Sequence, residues 1–405
     1  MELSGHRWPG LLEMTMTAYV TEFSVRDRAR DLSQIEAFIA LNTFERPTLV
    51  LDTGVVTDNF HALQAGLGNA RIHYAVKANP APEIIDTLVG LGCHFDAASR
   101  GEIELCLSRG APAHNISFGN TVKRASDIAF AHRAGVTLFA ADADEELLKI
   151  AEHAPGAQVY IRLIVEASEA DWPLSRKFGC DRTMAVALLD RAVALGLEPV
   201  GFSFHVGSQT RRAAMWAATL DEVAVTWQAA LDAGHDLRLL NIGGGFPAFY
   251  GEAVEAPTPY AASVISMVRA RFGGSVEIMA EPGRGMVANA GAIAAEVLLV
   301  SRKSDTDLHR WVYLDIGKFS GLAETIDEAI RYQFVTDRDG DATGPCVLAG
   351  PSCDSADVLY EKTPVQLPLT LAAGDRIMIR NTGAYTSSYA SIGFNGFPPL
   401  DVVVL

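Results

Sequence analysis

From about residue 48 to residue 284, short β-rich runs alternate with stretches of helical period, and this alternation limits the chain to few folds. Candidate strands lie at 48–51, 72–76, 94–95, 116–118, 138–140, 158–164, 201–205, 239–242 and 277–280. Amphipathic stretches at 81–91, 100–109, 123–134, 143–153 and 214–233 fall between them. Strand–helix alternation over this length predicts a parallel α/β sheet. Eight or so units predict closure into a (β/α)8 barrel rather than an open sheet. Past Met286 the pattern changes: 292–301, 311–315, 346–349, 365–371 and 376–380 are β-rich, with turn residues between them. That predicts a second, mainly antiparallel β domain. The run Ala372-Ala373-Gly374-Asp375-Arg376 reads as a tight hairpin turn. At 405 residues the chain exceeds one comfortable core, which agrees with a division into 1–46, 47–285 and 286–405.

Bulk properties exclude several classes. A net charge of −16 opposes nucleic-acid binding, which needs basic patches. No apolar run reaches the length of a membrane span, and residues 1–20 lack the basic-then-apolar order of a signal peptide. Met14 or Met16 is an alternative start. Five scattered cysteines (Cys93, Cys106, Cys180, Cys346 and Cys353) with no CxxC pair predict reduced thiols in the cytoplasm and neither disulfides nor a metal site.

In a closed parallel barrel the chemistry sits at the carboxyl ends of the strands. Lys77 ends one candidate strand in His73-Tyr74-Ala75-Val76-Lys77-Ala78-Asn79-Pro80. Taken alone it is a strand-end side chain snorkelling to water. In a pocket, burial would lower its pKa and let the amine form a Schiff base with an aldehyde. Asp96, Asn120 and Arg162 lie at or near other strand ends, and His205 ends a further one in Ser203-Phe204-His205-Val206-Gly207-Ser208-Gln209. Gly243-Gly244-Gly245 frees backbone N–H groups to face an anion. Arg284, in Glu281-Pro282-Gly283-Arg284, offers a bidentate donor, and Ser208 adds a hydroxyl. A lysine for an aldehyde and a cradle for a phosphate together predict pyridoxal 5′-phosphate, with Glu281 beside the pyridine nitrogen and His205 against the ring.

These motifs resemble those of the fold-type III, pyridoxal-phosphate-dependent basic amino-acid decarboxylases, most closely the bacterial ornithine decarboxylases. The resemblance begins near Pro47 and rests on the runs named above. Phe95-Asp96-Ala97-Ala98-Ser99, Gly350-Pro351-Ser352-Cys353-Asp354-Ser355-Ala356-Asp357 and Gly383-Ala384-Tyr385-Thr386 add to it. It implies an alanine racemase/ornithine decarboxylase-like architecture, with part of the N-terminal extension joining the β domain. It also implies a homodimer with shared sites. By resemblance, Lys77 is the Schiff-base lysine and Glu281 the ring-nitrogen partner. His205 stacks on the ring, while Ser208, Gly243, Gly244, Gly245, Arg284 and Tyr385 hold the phosphate. Asp96 and Arg162 surround the lysine and cofactor. Cys353 and Asp354 enter the partner's site, Cys353 as the acid that reprotonates Cα.

The acidic segment 314–328 resembles the stretch that reads a substrate's distal ammonium, with Asp327 at the matching position and Asp354 opposite. A solvated acidic face is the other reading. Cys353-Asp354-Ser355 replaces the Cys-Glu-Ser of diaminopimelate decarboxylases and favours a diamine-forming enzyme; the resemblance to ornithine decarboxylases implies L-ornithine as substrate, giving putrescine and CO2 in polyamine biosynthesis. Lysine, which differs by one methylene worth about 1–3 kcal/mol, stays open. Ala97, where relatives often carry Cys, and Gln333, where they often carry Pro, leave a specialised diamino acid open too. An inactive regulatory homologue is opposed by the retained Lys77, Glu281 and Cys353. A racemase of the same fold type is opposed by the Cys353-Asp354 motif.

Overall fold

The computed structural model describes residues 33–165 and 177–405. The candidate start methionines Met14 and Met16 lie outside the described residues. The described chain opens with helix α1 (Gln34–Leu41), which starts where the sequence provides a capping box: Ser33 Oγ accepts the Glu36 N–H, and Glu36 accepts the Ser33 N–H. Strand β1 (Thr48–Leu51) and helix α2 (Thr53–Leu67), capped by Asp52, follow.

The strand–helix units then run in order. They are β2 (Arg71–Ala75), α3 (Pro82–Gly90), β3 (His94–Ala97), α4 (Arg100–Ser108), β4 (Ile116–Phe118), α5 (Ala125–Arg133), β5 (Leu138–Ala141), α6 (Asp144–His153) and β6 (Gln158–Arg162). They continue with α7 (Arg182–Ala194), β7 (Glu198–Ser203), α8 (Trp216–Asp232), β8 (Leu239–Asn241), α9 (Pro257–Phe272), β9 (Glu277–Ala280) and the short α10 (Arg284–Val287). Local chemistry sets these limits. Pro82 and Pro257 occupy first turns, where a missing N–H costs nothing, and Gly273 closes α9 at a φ of 80°.

Among the described residues, β2 to β9 close into an eight-stranded parallel barrel. Pairing of Arg71 with Met279 and Ile72 with Ala280 completes the ring. Side chains alternate across each strand. Ala140, Tyr160, Val200, Leu239 and Met279 therefore form a small cluster inside the barrel. Phe139, Val159, Ile161, Leu240 and Ile278 face outward, into the large core beneath the helices.

The rest of the chain builds a mixed sheet. Its strands are β10 (Gly291–Ser301), β11 (Arg310–Leu314), β12 (Gln333–Thr336), β13 (Thr343–Ala349), β14 (Val358–Leu359), β15 (Val365–Pro368), β16 (Arg376–Arg380) and β17 (Asp401–Val404). Most pairs are antiparallel, as expected, but β1–β17 and β11–β13 are parallel. Two expectations change. The run 48–51, read with the barrel strands, belongs to this sheet, because β1 pairs with β10 and β17. Four apolar residues ahead of a helix look alike in either setting. The turn at Gly374 is not a hairpin, because it joins β15, paired to β13, with β16, paired to β10 and β12. Helix α1 packs its Ile35 and Ile39 on Val50, Ala292, Ala294 and Met378 of the sheet.

The barrel wall contains two imidazoles in contact, His73 of β2 and His94 of β3, with ring centroids 4.8 Å apart and planes tilted by 36°. Burial pushes both pKa values down, helped for His73 by His94 and Arg71 and for His94 by Arg71; His94 falls to about 4. The unfolded chain therefore binds these protons more readily than the folded one. Stability present above the ordinary imidazole value of about 6.5 is lost as pH falls from there towards 4. Urea unfolding across that range should show a shallower acid decline for His94→Phe than for the wild type. Superimposable declines would remove the imidazole pair from the cause.

Candidate active site

Four strand ends and two loops of the sheet domain meet around a cavity of about 200 Å³. Lys77, His205, Ser208, Gly244, Gly245, Glu281, Arg284, Glu324, Tyr385 and Tyr389 line it, with Ala75, Phe246 and Gly283. A larger cleft of about 820 Å³ between Pro80–Thr87 and the chain's C-terminus has neither lysine nor histidine on its wall. Reactive groups converge in the smaller one.

Lys77 sits in a single 3-10 turn, Val76–Ala78, just beyond β2. Side-chain and backbone bonds pin this turn. Tyr74 Oη donates to the Asn79 carbonyl at 2.9 Å, and Asn79 Nδ2 donates to the Gly383 carbonyl at 2.7 Å. The Tyr385 N–H bonds the Ala78 carbonyl at 2.8 Å, and Ser388 Oγ bonds that of Lys77 at 2.9 Å. The lysine is thus held from both the barrel and the sheet domain.

Lys77 Nζ lies 3.2 Å from Asp96 Oδ2, with half of the side chain's surface open to the cavity. Burial works to lower its pKa, the effect expected from sequence. Asp96, Tyr385 and Glu281 outweigh it, and the amine is held above its ordinary value. The expectation of a depressed lysine fails because its pocket contains two carboxyl groups. In the absence of an aldehyde, Lys77 is an ammonium.

Glu281 follows β9 by one residue. Burial and the nearby Asp96 raise its pKa, against the opposing pull of Lys77, an Asn241 hydrogen bond and Arg162. Asn241, the last residue of β8, donates Nδ2 to Glu281 and accepts the Gly243 N–H at 2.9 Å. Gly243 and Gly245 have φ values of 70° and 98°, which side-chain-bearing residues rarely adopt. A Cβ on Gly244 would stand 2.9 Å from the Glu281 carbonyl and 3.0 Å from His205 Nε2. The glycine run therefore brings bare backbone to the cavity wall. His205 Nδ1 accepts the Gly207 N–H at 3.0 Å, which fixes a neutral ring protonated at Nε2. Burial, Arg162 and Lys77 push the His205 pKa down to about 3, so it remains neutral.

Arg284 is 4% exposed, with its guanidinium centre 4.9 Å from the Tyr385 ring. It bonds Ser208 Oγ at 3.2 Å and Tyr250 Oη at 3.1 Å. Its strongest partner is Glu324, at 2.6 and 2.7 Å. Arg162, at the end of β6, lies 5.0 Å from the Phe178 ring, and its field reaches Glu281 and His205. An amine, a carboxyl group, a flat neutral imidazole, the bare backbone of Gly244 and Gly245 and an arginine whose buried Nε has no partner fit an aldehyde cofactor with a ring nitrogen and a phosphate. Among the described residues, no cluster of His, Cys, Asp and Glu fits a metal ion.

Three expected residues lie elsewhere. Asp327 does not line the cavity; its carboxylate is largely exposed and 3.8 Å from Lys362 Nζ. The helical turn breaks at Ile326, and Asp327 takes a φ of 54°, turning it off the inward face. Cys353 and Asp354 lie on an exposed loop of the sheet domain. The Cys353 N–H and thiol both bond Asn395 Oδ1, at 3.0 and 3.4 Å, and Asp354 Oδ1 accepts the Ala356 N–H at 2.8 Å. Sequence reasoning missed Glu324, Asn241 and Tyr389. Asn241 had a signal, a polar residue closing an apolar strand just before three glycines. Glu324 lies among four acids in segment 314–328, and no periodicity distinguishes it from them.

Comparison with known proteins agrees with this geometry. Residues 53–288 match the family model described as pyridoxal-dependent decarboxylase, pyridoxal binding domain. The lysine/ornithine decarboxylase of Selenomonas ruminantium is 32% identical over 366 residues, covering 90% of this chain and 91% of that protein. Decarboxylase flvG of Aspergillus flavus is 33% identical over 364 residues, 87% and 84% of the two chains. The crystal structure of a lysine/ornithine decarboxylase from Vibrio vulnificus complexed with cadaverine superposes with a TM-score of 0.81 at 32% identity, covering 92% of this chain and 97% of that one. No described helix is long and apolar enough to cross a membrane. The chain belongs to the pyridoxal-dependent decarboxylases of fold type III and is a pyridoxal 5′-phosphate-dependent carboxy-lyase of basic amino acids.

Proposed function

We propose that the protein decarboxylates L-ornithine to putrescine, as a cytoplasmic homodimer in polyamine biosynthesis. The observation that carries the chemistry is Lys77 paired with Asp96 on the same cavity wall as Glu281 and the glycine run. Support for a diamino acid comes from the relatives, one named a lysine/ornithine decarboxylase and another crystallised with cadaverine and with putrescine. The Asp of Cys353-Asp354, where diaminopimelate decarboxylases carry Glu, favours a diamine-forming enzyme.

When bound, the cofactor draws electrons from the substrate's Cα so that CO2 can leave. The chain's residues do the rest. Lys77 would hold the aldehyde, and Asp96, 3.2 Å from its Nζ, keeps the free amine charged and in place. Glu281, a carboxyl group with a raised hold on its proton and steadied by Asn241, would share a proton with the ring nitrogen. His205, neutral and fixed by Gly207, would lie against the ring face. Ser208, Arg284, Tyr385 and the backbone of Gly244 and Gly245 would hold the phosphate, with Gly243 tied to Asn241 to shape the turn, while Arg162 steadies the charges around the lysine. Cys353 of the second subunit returns a proton to Cα. Asp327, which in the single chain stands exposed near Lys362, reads the distal ammonium with Asp354 of the second subunit opposite.

Release of CO2 from L-ornithine, L-lysine, L-arginine and meso-diaminopimelate tests the substrate. Ornithine should rank first, and release from diaminopimelate alone would overturn the proposal. Lys77→Ala should lose the visible absorbance of bound cofactor and reduce turnover at least about 10³-fold. Asp354→Asn should raise KM for ornithine about tenfold or more and change kcat less, as expected for loss of one partner of a charged group. An equal fall in kcat at constant KM would instead place Asp354 in the chemical step.

A further inference from the structure

Arg284 has five N–H groups, and the structure accounts for four. Nη1 donates to Tyr250 Oη and Glu324 Oε2, and Nη2 donates to Ser208 Oγ and Glu324 Oε1. Nε is buried and has no partner. Glu324 is itself 7% exposed and lines the same cavity. Its backbone is anchored: its carbonyl accepts the Ile330 N–H at 3.1 Å, and Thr325 Oγ1 bonds Leu322 at 2.6 Å. The fork-to-fork contact is the geometry in which arginine and a carboxylate, or arginine and a phosphate, bind most tightly. Glu324 already occupies the face of Arg284 that a phosphate would use best.

From this geometry we propose that Glu324 is a built-in competitor for the phosphate seat and sets the affinity of this enzyme for its cofactor. The inference rests on the reading that Arg284 belongs to that seat. An arriving phosphate meets a cation whose charge is already matched by a carboxylate. It gains the Nε proton, the Ser208 hydroxyl and the N–H groups of the glycine run, and must share or displace Glu324 for the rest. Grip on the phosphate is therefore weakened, and retention of the cofactor leans on its bond to Lys77. A purely structural role, tying the sheet domain to the barrel, would change stability without distinguishing phosphorylated from unphosphorylated ligand.

That distinction supplies the test. The full chain is stripped of cofactor with hydroxylamine, and pyridoxal 5′-phosphate and pyridoxal are titrated separately, following the visible absorbance of the lysine-bound aldehyde. Glu324→Gln keeps an acceptor for one Nη and removes the charge. It should bind pyridoxal 5′-phosphate about tenfold or more tighter than the wild type does, as expected for loss of one like charge in a buried seat, with pyridoxal unchanged within about twofold. Unchanged or weaker binding of the phosphate ester overturns the proposal, as does an equal change for both ligands. Arg284→Gln separates this from failure of the underlying reading: it should weaken pyridoxal 5′-phosphate and not pyridoxal. If both respond alike, Arg284 is not in the seat. If Glu324→Gln does not fold without ligand, Glu324→Asp decides. The shorter acid cannot span both Nη groups and should tighten the phosphate ester a few-fold, whereas no gain counts against competition.

Discussion

Closure of the barrel between β2 and β9 is the constraint on which the site depends. Lys77 lies two residues beyond β2 and Glu281 one beyond β9, about two hundred positions apart in the chain. The pairing of Ile72 with Ala280 and the bond from the Ala75 N–H to the Pro282 carbonyl, 3.2 Å, make them neighbours. The ring also brings the end of β8 beside that of β9, so that Asn241 can serve both Glu281 and Gly243. One geometric fact, a parallel ring with all strand ends on one side, turns scattered polar residues into a site.

Within that site the charges are placed so that each sets its neighbour's protonation. Asp96 favours the ammonium of Lys77 and opposes ionisation of Glu281. Lys77 and Arg162 oppose a charge on His205, and burial does so more strongly. The result is a positive amine, a carboxyl group that gives up its proton reluctantly and a neutral ring within one small cavity. Asp96 touches the amine, and Glu281 accepts from the Asn241 amide.

The barrel was legible because its period is long and repeated, and so were the residues at strand ends, Lys77, Asp96, His205, the glycine run, Glu281 and Arg284. Legibility failed where local pattern and tertiary partner part company. The run 48–51 has the composition of a barrel strand, and only its pairing with β10 and β17 assigns it to the sheet. Asp327 and Glu324 share one acidic segment, and the difference between them is a backbone reversal at 326–327. The sense of the Lys77 shift was misread because burial was considered without its two acidic neighbours. Such errors share one origin: a short window of sequence shows which groups exist, and only the fold shows which groups face them.

The pins on the lysine turn also bear on how the molecule is made. Asn79 and Ser388 bond across sequence separations of 304 and 311 residues, and β1 pairs with β17 at the far end of the chain. Contacts this distant form late, since a long loop must close before they repay its entropy. During synthesis the strands of the barrel emerge well before the residues near 385 that cap it. The lysine turn is then held from one side only, and Tyr385 and Tyr389 have yet to reach the cavity wall. Competence to hold a cofactor is thus acquired with the last few dozen residues, so that a chain cut short there carries a barrel without a finished seat.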